Sequence, residues 1–115
     1  MKNKENRSLV VDFQQRLLED LTTKVCNVTF VKKNRTKRTG WMTTDLRWVP
    51  AADHPKGTGK PLPPGSGLLR VYDFKRMGWR TIRPSHVTSY RLLTPEEELQ
   101  LKFETANYEK EHEDD

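Results

Sequence analysis

Between Pro50 and Gly67 the chain reads Pro-Ala-Ala-Asp-His-Pro-Lys-Gly-Thr-Gly-Lys-Pro-Leu-Pro-Pro-Gly-Ser-Gly, a run that holds five of its seven prolines and four of its six glycines. Proline lacks the amide hydrogen that helices and inner strands need, and glycine loses the most backbone entropy when ordered, so residues 50–67 are predicted to form one long exposed loop. Loops of this length are uncommon in compact domains, and the segment reads as a mobile binding element or a tolerated insertion. At 115 residues the chain has room for one modest core, so residues 1–115 are expected to fold as a single domain.

The flanks carry clear local patterns. From Lys24 to Lys32 the residues alternate, with Cys26, Val28 and Phe30 on one face, and the β-branched content predicts a strand. Lys32-Lys33-Asn34-Arg35 reads as a turn with Asn34 in the left-handed conformation, and Thr36 to Thr43 as the returning strand, bent at Gly40. Leu68 to Phe74 and Trp79 to Arg83 form a second predicted hairpin around Lys75-Arg76-Met77-Gly78, and Val87 to Leu92 a last strand entered through Pro84-Ser85-His86. Ahead of them, Val10, Phe13, Leu17 and Leu21 recur at helical spacing, predicting a helix over 8–22 with Ser8 as its N-cap. Thr94-Pro95-Glu96-Glu97 is a capping box that starts a second helix over 94–115, with Leu99, Phe103 and Ala106 as its apolar stripe and an acidic tail from Glu109. Five short strands between two helices predict a mainly β, α+β fold, with residues 24–92 closing into a small barrel.

Charge is distributed unevenly along this frame. Residues 24–91 hold fifteen Lys and Arg against three Asp, a net +12, whereas residues 92–115 hold two Lys against nine acids, a net −7, and residues 1–23 are neutral. Segregation of this kind is the footprint of a polyanion-binding core with an acidic appendage. Within the core, Lys32, Lys33, Arg35, Lys37 and Arg38 surround the first hairpin, and Arg70, Tyr72, Lys75, Arg76, Arg80 and Arg83 ring the second. Lys and Arg interleaved with aromatic residues suit single-stranded nucleic acid, where cations track phosphates and rings stack on bases. In so small a barrel Phe30, Trp41 and Trp79 are expected in the core.

No catalytic constellation stands out. Gly57-Thr58-Gly59-Lys60 is followed by Pro61 rather than by Ser or Thr at a helix start, which disqualifies it as a phosphate-binding loop. Ser85 and His86 are neighbours that point apart, without a carboxylate nearby in sequence to orient the imidazole. Cys26 sits on the inward face of a strand and is expected to pack rather than react. A single cysteine and the dispersed His54, His86 and His112 predict no disulfide and no metal site, and no cofactor is expected. The polar stretch Met1 to Arg7 and the lack of a bilayer-length apolar run lead to the expectation of an intracellular protein without membrane association.

Val28-Thr29-Phe30-Val31-Lys32-Lys33, Leu69-Arg70-Val71-Tyr72-Asp73, Gly78-Trp79-Arg80-Thr81-Ile82-Arg83 and Val87-Thr88-Ser89-Tyr90 together resemble a phage-encoded family of small Sm-like or SH3-like β-barrels related to WYL domains. The resemblance covers about sixty residues and rests on pattern. It implies a small β-barrel, a bacteriophage origin and an accessory role in the cytoplasm of an infected bacterial host; the lack of a catalytic set among the residues adds the expectation that the chain binds rather than catalyses. The family's Trp-Tyr-Leu triplet does not occur here, so no ligand-binding residue is carried over.

Three functions fit this reading. The first is a module that binds DNA or RNA through its basic hairpins. The second is a phage factor that binds a host protein and modulates or inhibits it, in host takeover or against defence. The third is a homo-oligomer paired through the two helices.

Overall fold

The computed structural model describes residues 2–55, 62 and 65–111, with side chains from Asp12 onward. Five antiparallel strands, β1 (Cys26–Val31), β2 (Lys37–Thr43), β3 (Leu69–Asp73), β4 (Gly78–Ile82) and β5 (Val87–Leu92), lie between α1 (Lys2–Thr23) and α2 (Pro95–Glu111). The strands pair in the order β4-β3-β2-β1-β5. β1 is central because it can pair on both sides: Val28 faces Gly40 of β2 and Tyr90 of β5, and the register against β5 shifts between Thr29 and Phe30. Such a shift bends the strand locally.

This order forces curvature. In a flat sheet β4 and β5 would stand about 19 Å apart, four strand spacings. Ile82 is nevertheless joined to Val87 through residues 83–86 alone, three of them in a 3-10 turn (Pro84–His86), and even fully extended such a link reaches only about 17 Å. The open sheet therefore curls, bringing its edges towards each other. β4 and β5 accordingly share one apolar cluster: Ile82 and Val87 gather with Val28, Phe30, Met42 and Val71 on the inner face, together with Leu17 and Leu21 of α1.

α1 is held on this inner face from several sides. Thr43 Oγ1 and Thr44 N donate to Leu21 O at 3.1 and 2.9 Å, Tyr90 Oη donates to Asp20 at 2.8 Å, and Phe13 meets the Tyr90 ring edge-on. The helix begins at Lys2, earlier than the Ser8 cap expected from sequence. Lys, Glu and Arg are good helix formers, Asn3 and Asn6 cost little individually, and no Gly or Pro interrupts residues 2–7, so the helix extends through them. The Val10 side chain lies outside the described residues.

The outer face carries a second core. Tyr72 and Phe74 pack with Val25, Val49, Leu93 and Leu101, flanked by Trp41, Trp48 and Trp79. β3 is thus covered on both faces, Val71 inward and Tyr72 outward. Part of the Pro50–Gly67 segment belongs to this core, contrary to its expected exposure. Pro50 is buried, Asp53 accepts a hydrogen bond from Tyr72 Oη at 2.5 Å, and the Asp53 carbonyl accepts one from Trp79 Nε1 at 2.7 Å. A buried phenol and a half-buried indole need acceptors, and Asp53 of the 3-10 turn Ala51–Asp53 supplies both. Residues 56–61, 63 and 64 lie outside the described set.

The capping box of α2 forms as expected. Glu97 N donates to Thr94 Oγ1 at 3.1 Å, Thr94 N donates to Glu97 Oε1 at 2.9 Å, and Arg91 grips the same carboxylate through both terminal nitrogens. Its buried stripe differs from the expected one. Leu101 is inward with half-buried Thr105 and Tyr108, whereas Leu99 and Phe103 are each 70% exposed and Ala106 also faces solvent. The cap and buried Leu93 set the rotational phase of the helix, and that phase puts Leu101 rather than Leu99 over the outer core.

Candidate nucleic-acid interface

The β1–β2 connection is a turn over residues 32–35, in which Arg35 N donates to Lys32 O at 2.9 Å and Lys32 N donates to Thr36 O at 2.9 Å. Arg35, not Asn34, takes the left-handed conformation, with φ of 67°. Asn34 uses its side chain instead: Oδ1 accepts from Thr36 N and Thr36 Oγ1, while its own φ stays negative. Lys33, Arg35, Lys37 and Arg38 are exposed and Lys32 half-buried.

Register decides which of these cations converge. Residues directly opposite each other on paired strands share a face. Phe30 lies opposite Arg38, Met42 opposite Asp73, and Val71 opposite Arg80, so Phe30, Arg38, Asp73 and Arg80 all belong to the inner face. There Arg80 Nε lies 3.1 Å from Asp73 Oδ2, without the alignment of a good hydrogen bond, and the guanidinium carbon stands 5.5 Å from the Phe30 ring centre. Asp73 is almost wholly buried, and its other oxygen accepts from Lys75 N at 3.0 Å.

Two hollows adjoin this pair and share Phe30 and Arg80 as walls. One, of about 240 Å³, opens between β2 and the β3–β4 turn and is rimmed by Arg38, Lys75 and Arg76. The other, of about 310 Å³, opens between the β1–β2 turn and the end of β4, with Leu68 and Ile82 in its lining and Lys32, Lys33, Arg83 and His86 around it. Among the described residues, Asp73 is the sole acid lining either one. None of Lys32, Lys33, Arg38, Lys75, Arg76 and Arg83 has an ion-pair partner among the described residues.

Seven of the cations singled out in the sequence therefore come together: Lys32, Lys33, Arg38, Lys75, Arg76, Arg80 and Arg83. Arg35 and Lys37 lie beside the hollows on the hairpin without lining them. Arg70 pairs with Thr81 on the opposite side of the sheet from Arg80. Tyr72 requires correction as a binding residue. It is fully buried in the outer core between Phe74 and Trp79, and burial together with the Asp53 hydrogen bond pushes its phenol far above the ordinary range. Its strand position next to Val71 places it on the face covered by α2 and residues 49–53, where no ligand base can stack. Phe30, read from sequence only as core, is also the aromatic wall of both hollows; its signal was the pairing with Arg38, which appears only with the register.

Elsewhere the side chains have other occupations. Cys26 is buried, and desolvation with Asp20 nearby pushes its thiol up to about 12, so it stays protonated. A larger hollow of about 510 Å³ lies between α2 and Arg47–Trp48, but its charges are mixed and engaged: Lys102 stands over the Trp48 ring, and Glu109 accepts from Ala51 N. Among the described residues, no three His, Cys, Asp or Glu gather as metal ligands, and no helix is long and apolar enough to cross a membrane. The chain matches no family model, no curated protein and no solved structure.

Proposed function

We propose that this protein is a non-catalytic module that binds single-stranded nucleic acid across the two basic hollows. The observation that carries the reading is the convergence of seven Lys and Arg side chains, from two hairpins distant in sequence, around Phe30 with one already neutralised acid among them. Unpaired cations held this close repel one another, and phosphates of a polyanion relieve that repulsion. The hollows are too small to enclose a nucleotide chain, so the strand would run along their rims with phosphates at Arg38, Arg76 and Arg83. Binding by such a surface is governed by phosphate number, with little dependence on base sequence.

The fold component of this reading is a small SH3-like or Sm-like barrel. Support comes from the strand order, which leaves β4 and β5 as facing edges, and from the short link at residues 83–86 that draws them together. The phage accessory role and the bacterial host cytoplasm rest on the sequence resemblance alone.

The test is anisotropy of labelled single-stranded DNA and RNA titrated with nuclease-treated protein over a range of salt. Contact with about five phosphates implies a log–log salt slope near −3.5, hence a loss of roughly 100-fold in affinity between 50 and 200 mM salt. Affinity that does not respond to salt would remove the phosphate-binding reading.

A further inference from the structure

α2 presents a face that the fold does not use. Leu99 and Phe103, one helical turn apart, are each 70% exposed, and Glu96, Gln100 and Glu104 flank them in solvent. Together they leave roughly 300 Å² of apolar surface open, the size of patch that on a monomer often marks an interaction site. Leu101 and the Thr94 cap fix α2 to the outer core, so this face cannot turn inward. It is an apolar pair in an acidic frame, and its complement is an apolar floor in a basic frame.

That complement exists on the same chain. The hollow of about 310 Å³ has Phe30, Leu68 and Ile82 in its lining and Lys32, Lys33 and Arg83 around them. A cavity of roughly 150 Å³ suffices for a benzene-sized group, so a phenyl ring fits with room to spare. Side-by-side pairing of two α2 helices would instead set Glu96 and Glu104 of one copy against those of the other, a repulsive arrangement. Since α2 is anchored on the outer face while the hollow opens from the inner face, a chain cannot fill its own site with this helix.

We infer that the exposed face of α2 docks head-to-tail into the basic hollow of a second copy of this chain, with Phe103 entering the hollow and Glu96 and Glu104 meeting Lys32, Lys33 and Arg83. Such an interface joins unlike surfaces, so each bound copy still offers one free surface at each end. Assembly therefore continues into a ring or an open string. The opposed charges make it strongest at low salt.

Sedimentation velocity of the full chain, treated with nuclease and followed over a concentration series at low and high salt, reads this directly. The wild type is expected to grow in mass with concentration at low salt and to return to monomer as salt rises. Phe103→Asp removes one surface, and the double variant Lys33→Glu/Arg83→Glu removes the other. Each alone should stay monomeric, with an unchanged melting temperature because all three side chains are exposed. Mixed together they should form a 1:1 dimer and nothing larger, because each variant supplies the surface its partner lacks. A wild type that remains monomeric throughout overturns the inference. So does self-association of the Lys33→Glu/Arg83→Glu variant at the wild-type level, which would indicate helix-to-helix pairing, and so does a mixture that stays monomeric. No nucleic acid is present in these experiments, so the outcome is independent of the binding proposal above.

Discussion

Replacing Arg80 by Met keeps the long stem and removes the guanidinium, which separates what this residue does for the fold from what it does for a ligand. Asp73 is only 5% exposed, and after the substitution its carboxylate keeps, among the described residues, a single hydrogen bond, from Lys75 N. Removing one member of a buried ion pair costs about 3–5 kcal/mol, because the remaining charge is stranded in a poorly solvated place. The lower end applies here, since Arg80 retains some solvent contact and its Nε is poorly aligned on Asp73. About 3 kcal/mol is a large share of the 5–15 kcal/mol expected for a domain, and it should lower the melting temperature by roughly 12 °C. The companion variant Asp73→Asn with Arg80→Met removes both charges, and should recover about 2 kcal/mol of that loss. Urea unfolding of the wild type, both single variants and the double variant forms a complete cycle. The double variant should still bind polyanions more weakly than the wild type, because Arg80 walls both hollows. A loss below about 1 kcal/mol for Arg80→Met, the magnitude of an exposed pair, would refute the argument from burial. So would a double variant no more stable than the single one.

Reversing Lys33, Arg38 and Arg83 to Glu should abolish nucleic-acid binding, whereas reversing Arg35, Lys37 and Arg70, which do not line the hollows, should weaken it about tenfold or less through long-range charge alone; equal losses in anisotropy titrations would show that the hollows have no special role. Arg35→Gly relieves a left-handed non-glycine residue and should stabilise the fold by about 0.5 kcal/mol in chemical unfolding, the relief being partly offset by the freedom glycine gains in the unfolded chain. The Arg91 guanidinium, helped by the Thr94 amide, holds the Glu97 carboxyl down at about 2. Its contribution is thus present above the ordinary glutamate pKa of about 4.3 and is lost as pH falls from there towards 2, so Glu97→Gln should flatten the decline of melting temperature across that window. Joining residue 54 to residue 64 through a short Gly linker, with 55–63 removed, should leave cooperative unfolding intact, because Asp53 with its two ring donors is retained; loss of cooperativity would show that the deleted stretch packs into the core.

Strand and helix identity were legible in the sequence because they depend on periodicity and on residues within a few positions of one another. The alternation of Cys26, Val28 and Phe30 marked β1, and Thr94 with Glu97 marked the start of α2, since the partners in each pattern are neighbours in the chain. The overall α+β arrangement of five strands between two helices follows from those local patterns. The basic character of the strand region was equally plain, because charge is a property of composition.

Which faces are covered, and by what, is a different matter. A strand shows alternation whether one face is buried or two, so the sequence around Tyr72 did not reveal that α2 and residues 49–53 close over it. The helical spacing of Leu99 and Phe103 matched that of a core stripe, yet the phase set by the cap and by Leu93 buried Leu101 and left the two large side chains in solvent. The cations that line the hollows were likewise indistinguishable from Arg35, Lys37 and Arg70 by residue type. Register separated them: it set Arg38 opposite Phe30 and brought Arg80, fifty residues from Phe30 in the chain, against its ring. Composition determined that this protein carries a strongly basic strand region, and only strand pairing and curvature decided where that charge converges, because a side chain's face depends on partners distant in sequence.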